Sequence, residues 1–356
     1  MRAFLGGAIA LIVTWAGSAG GATLGDPTTD ATLFAGLVEK YRHGDSDDAI
    51  RELIGSARSL GMMSVMRRAA KAPAKASAPA RMALAALPAA VMLHTEAGLY
   101  LYGQNDPTRA WVHWSQARAL AEVALTERDQ DEFLRAWYPA LGSYFLGRYL
   151  AVDAIDFLEH GLKRFPDEAP IALALGEAHE VRGTFAEGEI MSVRPRPLTE
   201  GRGELLAAEH FFRGVLARDP SLVEARLRRG RVLDLLRETD AALAELQQAG
   251  TADSDKVRYL AHLFTADLRR RRSELPAARE EFALALEAWP GAQAASLGLA
   301  EALHSLGERG EAASVLGPAI EERSPPARPD PFRSYHFGDR EEQRRRLEDV
   351  KAMARR

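Results

Sequence analysis

The chain has 356 residues, a formal net charge of −4 at pH 7 and 47 % hydrophobic residues. This composition is typical of a folded globular protein, and it excludes wholesale disorder and the overall basic field of proteins that bind nucleic acid. The chain contains no cysteine, which excludes disulfides, thiolate catalysis, cysteine-ligated zinc and a lipid-modified N-terminal cysteine.

Residues 1–22 are predicted to be a cleaved export signal. Arg2 supplies a positive end, Ala3–Trp15 an apolar run of about 13 residues, and small residues follow, with cleavage after Ala19 or Ala22. The alternative is an uncleaved membrane anchor, although the run is short of the ~20 residues that a spanning helix needs. Because no later segment is long and apolar enough to cross a membrane, the mature protein is predicted to be periplasmic or secreted.

Residues 30–63 predict a first, weakly marked helix pair. Gly44 suits a turn between two helices, and Ala49 and Leu53 follow at positions that suit the second helix. Leu37 stands where a small residue is expected in such a pair. This segment is therefore interpreted as a degenerate copy of the pattern that dominates the rest of the chain.

Residues 64–90 are rich in Ala, Lys and Pro. The first part of this segment predicts a flexible linker, and its end predicts the approach to the next helix. A basic tether to an anionic surface is the alternative interpretation.

Residues 91–325 repeat one spacing of small residues. Gly142 is followed by Ala154 twelve positions later, and then by Leu158 and Gly161. The anchor alanines of the last four sets lie 34, 36 and 34 residues apart. The six sets are Gly98, Ala110, Trp114, Ala117; Gly142, Ala154, Leu158, Gly161; Gly176, Ala208, Phe212, Val215; Gly230, Ala242, Leu246, Ala249; Ala266, Ala278, Phe282, Ala285; and Ala300, Ala312, Leu316, Ala319.

Self-similarity at a period of roughly 30–40 residues is typical of stacked helix pairs. Glycine inside a helix costs about 0.5–1 kcal/mol relative to alanine, so its recurrence indicates a close crossing of two helices. Each set resembles a tetratricopeptide repeat. The resemblance implies an all-α fold, a right-handed α-solenoid of stacked antiparallel helix pairs.

One set is interrupted by an insertion. Gly176 and Ala208 are 32 residues apart where the other sets have twelve, and the extra residues lie within 183–203. The glycines at its ends and its "RPRP" centre predict a loop or a short hairpin. Long loops of this kind are often either functional or disordered, and both interpretations stay open.

Residues 326–356 predict an extended segment with aromatic side chains, followed by a helix. Asp339 is predicted to begin that helix, with Glu342 as its capping-box partner. Stacked helix pairs need a cover for their exposed end, so this helix is predicted to cap the stack. A helix that binds a membrane surface or a partner is the alternative.

No catalytic or metal-binding pattern is found. The segment "HEVRG" begins like a zinc-peptidase helix, but Gly183 stands where the second histidine is required. No G-x-S-x-G turn and no phosphate-binding glycine loop occurs. His113, His160 and His210 fall on predicted second helices and are interpreted as packing residues. The protein is therefore predicted not to be an enzyme and to need no cofactor or metal.

In tetratricopeptide repeats the first helix of each pair lines a concave groove. The resemblance therefore implies that this chain binds a protein or peptide partner there. The alternatives are a merely solvated helix face or binding on the convex side. The implied groove residues are Thr95, Leu99, Tyr102, Ser143, Leu146, Glu177, Glu180, Arg231, Asp234, Asp267, Arg270, Glu301 and His304.

Together these features predict an exported scaffold or adaptor that mediates protein–protein interaction in a cell-envelope assembly. One alternative is a scaffold anchored in the membrane by its first residues. The other is a cryptic enzymatic activity on cell-wall glycan or peptide, which would need the insertion to complete a site with Glu177, Glu180 or Glu189.

Overall fold

The computed structural model describes residues 27–56, 69, 75–122, 128–185, 201–320 and 328–356. All regular structure within these residues is helical, so the predicted all-α fold is confirmed. The chain forms two compact units. Unit 1 consists of Met1–Leu134 with Asp349–Arg356, and unit 2 consists of Arg135–Glu348. The predicted signal at 1–22 lies outside the described residues.

Sixteen α-helices and one 3-10 helix are seen in the described residues. In chain order the helices are α1 (Pro27–Arg42), α2 (Ser46–Gly55), α3 (Ala78–Ala85), α4 (Leu87–Gly103), α5 (Pro107–Ala121), α6 (Arg128–Leu146), α7 (Ala151–Arg164), α8 (Ala169–Thr184), α9 (Gly201–Arg218), α10 (Val223–Leu235), α11 (Thr239–Ala249), α12 (Asp255–Arg271), α13 (Leu275–Ala288), α14 (Gln293–Ser305), α15 (Arg309–Ile320), the 3-10 helix (Pro331–Ser334) and α16 (Arg340–Arg355).

The predicted small residues lie where paired helices cross. A Cβ atom built on Gly142 of α6 would lie 2.7 Å from Leu158 of α7, which is too close for any side chain. Glycines occupy the same position in three other pairs, and each faces the bulky residue that the repeat places opposite it: Gly98 faces Trp114, Gly176 faces Phe212 and Gly230 faces Leu246. The prediction of tetratricopeptide-type helix pairs is thus confirmed.

The turns within the pairs also share one geometry. In six pairs a residue with positive φ follows the end of the first helix. It lies seven positions after the first residue of its set, or after Leu37 in the first pair, and the next N–H donates back to a carbonyl of the last helical turn. This 6→1 bond is the Schellman motif, which satisfies the free carbonyls of a helix end. The six residues are Gly44, Asn105, Tyr149, Arg237, Ser273 and Gly307.

The linker prediction is wrong for residues 78–90. Ser77 begins α3 by accepting the N–H of Ala80 at 3.4 Å, and Pro79 occupies the first turn, where its missing N–H costs nothing. The pair α3–α4 is bent by 80° and is the one place where the described helices have the length and composition of a bent membrane span; no single described helix does. Most of α4 is buried within unit 1, as expected for a core helix.

The prediction that the last helix caps the end of the stack is wrong. In unit 2, Gln343 of α16 donates its Nε2 to the main-chain oxygen of Ser143 at 2.8 Å, and Gly147 leaves the space that its side chain fills. In unit 1, Lys351 pairs with Glu96 of α4 at 2.5 Å. Helix α16 therefore contacts the first helices of earlier pairs, because its polar side chains find partners there.

The capping-box prediction is half right. Asp339 accepts the N–H groups of Glu341 and Glu342 at 2.9 Å each, so it does begin α16. Glu342, however, pairs with Arg346 one turn later and does not serve as the reciprocal partner. At the predicted insertion, α8 ends at Thr184 and α9 begins at Gly201, and residues 186–200 lie outside the described part of the chain.

Candidate functional site

In unit 2, the first helices of the pairs contact residues from the C-terminal part of the chain. We define the tail segment as residues 328–346, which comprise an extended stretch, the 3-10 helix and the first turns of α16. A cavity of about 320 Å³ remains between the tail segment and the helices, and predicted groove residues from α6 and α8 line it together with residues 334–339 of the tail. The part of the predicted groove that α6 and α8 form is thus already covered by the chain itself.

Asp330 anchors the start of the tail segment. Its carboxylate accepts the hydroxyl of Tyr259 on α12 at 2.7 Å and the N–H of Ala294 at 2.9 Å. Ala294 lies in the first turn of α14, where N–H groups lack helical partners and the helix dipole favours a negative charge. Burial, together with the hydrogen bond to Asp330, raises the pKa of Tyr259. Its hydroxyl therefore stays protonated and donates.

Tyr335 is the second anchor. Its ring is 2 % exposed, and its hydroxyl donates to Oε1 of Glu180 on α8 at 2.7 Å. The ring meets Phe264 of α12 edge-on at 5.0 Å, and the guanidinium of Arg228 on α10 lies over the ring, 4.8 Å from its centre. Arg228 also donates Nη2 to the main-chain oxygen of Tyr335 at 3.3 Å.

Arg228 is the centre of a buried charge cluster. It is 7 % exposed, and it forms ion pairs with Glu177 at 3.1 Å, Glu180 at 3.0 Å and Glu224 at 3.0 Å. Burial acts to lower the pKa of Arg228, but the three carboxylates together raise it well above its usual value. Burial raises the pKa of Glu177 and of Glu180, and the charge of Arg228 opposes that rise.

Aromatic contacts hold the part of the tail segment that follows the 3-10 helix. Phe337 lies 4.5 Å from Tyr149 and 5.1 Å from Phe185, and His336 meets Phe185 edge-on at 5.0 Å, all measured between ring centres. Burial lowers the pKa of His336 to about 3, with further lowering from Arg228 and Arg231. The imidazole is therefore neutral at physiological pH.

The predicted charged residues of the last three pairs mostly pair with one another. Asp234 accepts two hydrogen bonds from Nη2 of Arg271, at 2.8 and 2.7 Å to its two oxygens. Such pairs occupy donors and acceptors that a partner would otherwise use. The predicted residues in this network are Arg231, Asp234, Asp267, Arg270 and Glu301. His304 is exposed.

The predicted groove residues of unit 1 pack within that unit. Thr95 is fully buried, and its hydroxyl donates to the carbonyl of Val91 at 2.9 Å. Leu99 and Tyr102 are half-buried, and the Tyr102 ring lies 5.7 Å from Trp114. Glu96 of α4, which pairs with Lys351 of α16, was not among the predicted groove residues.

A buried histidine pair lies at the crossing of α4 and α5. His94 and His113 are 0 % and 5 % exposed, and their Nδ1 atoms are 3.1 Å apart, so one ring donates to the other. Burial lowers the pKa of His113 to about 4 and that of His94 well below its usual value. The interpretation of His113 as a packing residue is confirmed, whereas His210 is exposed.

We expect this pair to make unit 1 sensitive to acid. Both histidines are protonated in the unfolded chain below pH about 6.5 but stay neutral in the folded unit. The stability that is present above that pH is therefore lost as the pH falls toward 4. For each histidine the loss is up to ~1.4 kcal/mol per pH unit. Urea unfolding at pH 7.5 and pH 5.0 measures this loss. The variant His94→Gln/His113→Gln should lose most of the pH dependence, and His43→Gln, in the exposed turn that follows α1, should keep it. An equal slope in all three proteins would contradict the assignment.

The decisive residues that sequence reasoning missed are Arg228, Tyr259 and Asp330. Arg228 lies two positions before Gly230 and is not among the implied groove residues. The signal for the tail segment was present in the aromatic pattern of 332–337, but nothing in it indicated where the segment binds. Within the described residues, no group of three or more His, Asp or Glu side chains is placed to hold a metal ion.

Similarity to known proteins is seen among solved structures. No family model and no curated protein matches the chain. Among solved structures, PilF of Pseudomonas aeruginosa is similar at 17 % identity and a TM-score of 0.46, over 62 % of this chain and 90 % of that one. A fragment of MamA from Desulfovibrio magneticus RS-1 is similar at 16 % identity and a TM-score of 0.42, over 54 % and 98 %. At such low values the fold assignment rests on the glycine contacts described above.

Proposed function

We propose that this chain, whose helices form tetratricopeptide-type pairs, is an exported scaffold that binds a protein partner through the first helices of unit 2. One observation carries the proposal: these helices bind a polypeptide segment, residues 328–338, through hydrogen bonds and aromatic contacts. A surface that holds a segment of its own chain in this way has the donors, acceptors and apolar pockets that peptide recognition needs.

The buried acids of unit 2 favour binding over catalysis. A general acid or base needs a free proton site within reach of a substrate. Glu180 already accepts hydrogen bonds from Arg228 and Tyr335, and Glu177 pairs with Arg228. Glu189, the third residue of the enzymatic alternative, lies outside the described residues. We therefore propose a scaffold or adaptor without enzymatic activity.

The predicted export signal at residues 1–22 supports a periplasmic or secreted protein that works in a cell-envelope assembly. Fractionation of producing cells and N-terminal sequencing of the exported protein test this. A new N-terminus near residue 22 in the soluble envelope fraction is the expected result. A retained N-terminus in the membrane fraction would replace the free scaffold with the anchored one, and a cytoplasmic protein would overturn the proposed localisation.

Binding is tested by photocrosslinking in cells. A photoreactive amino acid placed at Lys256, which lines the cavity beside the tail segment, is expected to yield a recurring protein adduct. The matched control is the same amino acid at Arg213, an exposed position on α9. Identical adducts at the two positions, or no recurring adduct at Lys256, would contradict the proposed binding surface.

A further inference from the structure

We infer that unit 2 recognises one defined peptide chemistry, an Asp-Pro pair followed by a tyrosine five residues after the aspartate, and that a partner segment of this chemistry binds by displacing the tail segment. The inference rests on the proposed function, because it names the kind of partner that the surface fits. The chain's own Asp330, Pro331 and Tyr335 are the resident copy of that chemistry.

The receiving groups are built for a tyrosine hydroxyl. Glu180 is 0 % exposed, and Arg228 takes up one of its oxygens while Tyr335 donates to the other. A buried carboxylate oxygen left without a donor is costly, so this position selects a side chain that reaches it with an O–H group. Phenylalanine fits the same space but supplies no donor.

The receiving groups for the aspartate lie on other helices. Tyr259 of α12 and the N–H of Ala294 on α14 both donate to Asp330. Two donors and a helix N-terminus favour an ionised carboxylate over an amide. Pro331 opens the 3-10 helix Pro331–Ser334, which separates the two anchors along the groove.

The residues between the anchors are read weakly. Phe332 is 39 % exposed, and Arg333 is exposed and donates Nη2 to Oε1 of Gln293 on α14 at 2.6 Å. Such positions tolerate substitution, because little of their surface is removed from water. The recognised pattern is therefore a pair of anchors with a variable centre.

Displacement is needed because the tail segment is covalently attached. An attached segment competes at an effective concentration of about millimolar. A free peptide therefore binds the intact chain weakly, and it binds strongly once the anchors of the resident segment are removed. The same competition limits partners to those whose segment is concentrated or held nearby by further contacts.

The experiment uses the full chain and a fluorescent peptide of residues 328–338, measured by anisotropy. We expect the peptide to bind the variant Asp330→Ala/Tyr335→Ala at least tenfold more tightly than the wild type. In the peptide, the change that removes only the hydroxyl, Tyr335→Phe, should weaken binding to that variant at least fivefold, whereas Arg333→Ala should leave it within twofold. Equal binding to both chains, or a peptide indifferent to both anchors, would overturn the inference.

If the double variant does not fold, the inference is tested by proteolysis of the wild-type chain. Excess unlabelled peptide is expected to accelerate tryptic cleavage after Arg333, because displacement frees the 3-10 helix that protects it, and the peptide with both anchors replaced is expected not to. An unchanged cleavage rate at millimolar peptide would overturn the inference. If the peptide does not bind but a recurring protein adduct forms at Lys256, only this inference is contradicted. If the peptide binds but no recurring adduct forms, only the proposed function is contradicted.

Discussion

Replacing Arg228 with methionine is expected to destabilise unit 2 by about 3–5 kcal/mol, because it leaves buried carboxylates without their cation. Glu177, Glu180 and Glu224 all pair with this guanidinium. Arg213→Met is the matched control: Arg213 is exposed, and its partner Glu209 keeps a second ion pair with Arg229, so its loss should cost less than about 1 kcal/mol. Urea unfolding, with hydrogen exchange of α8 and α10 as the local readout, measures both changes.

The deficit of Arg228→Met should also depend on pH. Burial raises the folded-state pKa of Glu177 and Glu180, and without the guanidinium that opposes the rise they bind protons more readily in the fold than in the unfolded chain. The difference from the wild type is therefore expected to shrink as the pH falls from 8 to 5. A deficit below 1 kcal/mol, or one that grows on acidification, would show that the cluster is solvated.

Replacing Gly176 with leucine is expected to destabilise unit 2 by about 3 kcal/mol, since overpacking a helix crossing forces the backbones apart. A Cβ at this position would lie 2.6 Å from the ring of Phe212, and a ring cannot bend away as a flexible chain can. The measurement is the urea midpoint, together with hydrogen exchange of α8 and α9.

Gly214→Leu on α9 is the control for this crossing. Gly214 lies in the same helix pair, is exposed and has no atom within 4 Å of a built Cβ. The substitution there should stabilise the protein by about 0.5–1 kcal/mol through helix propensity alone. Similar effects at both glycines would mean that α8 and α9 do not cross as described.

The helix pairs could be predicted because their determinant is local. Gly142 and Leu158 are sixteen residues apart, and the same separation recurs at Gly230 and Leu246, so the contact is written into the spacing of the sequence. Crossing helices admit only small side chains at the contact, and few other structures require that pattern. Among the predicted groove positions, Ser143 and Glu177 line one cavity, and Glu180 accepts the hydroxyl of Tyr335.

The tail segment could not be predicted because its contacts are distant in sequence. Tyr335 reaches Glu180 across 155 residues, and Gln343 reaches Ser143 across 200. No periodicity encodes such pairings, and the general rule that arrays need an end cap gave the wrong location for α16. The helix α3 was missed because its alanines and prolines are equally typical of a linker, and only the Ser77 cap distinguishes the two.

The position of the tail segment changes how unit 2 is expected to unfold. A row of helix pairs with contacts between neighbours alone opens from its ends, one pair after another. Here the tail segment is hydrogen-bonded to α6 at Ser143, to α8 at Glu180 and to α14 at Ala294. Those bonds tie early pairs to late ones, so fraying at either end breaks contacts throughout the unit, and a row of modules acquires the all-or-none cooperativity of a globular domain.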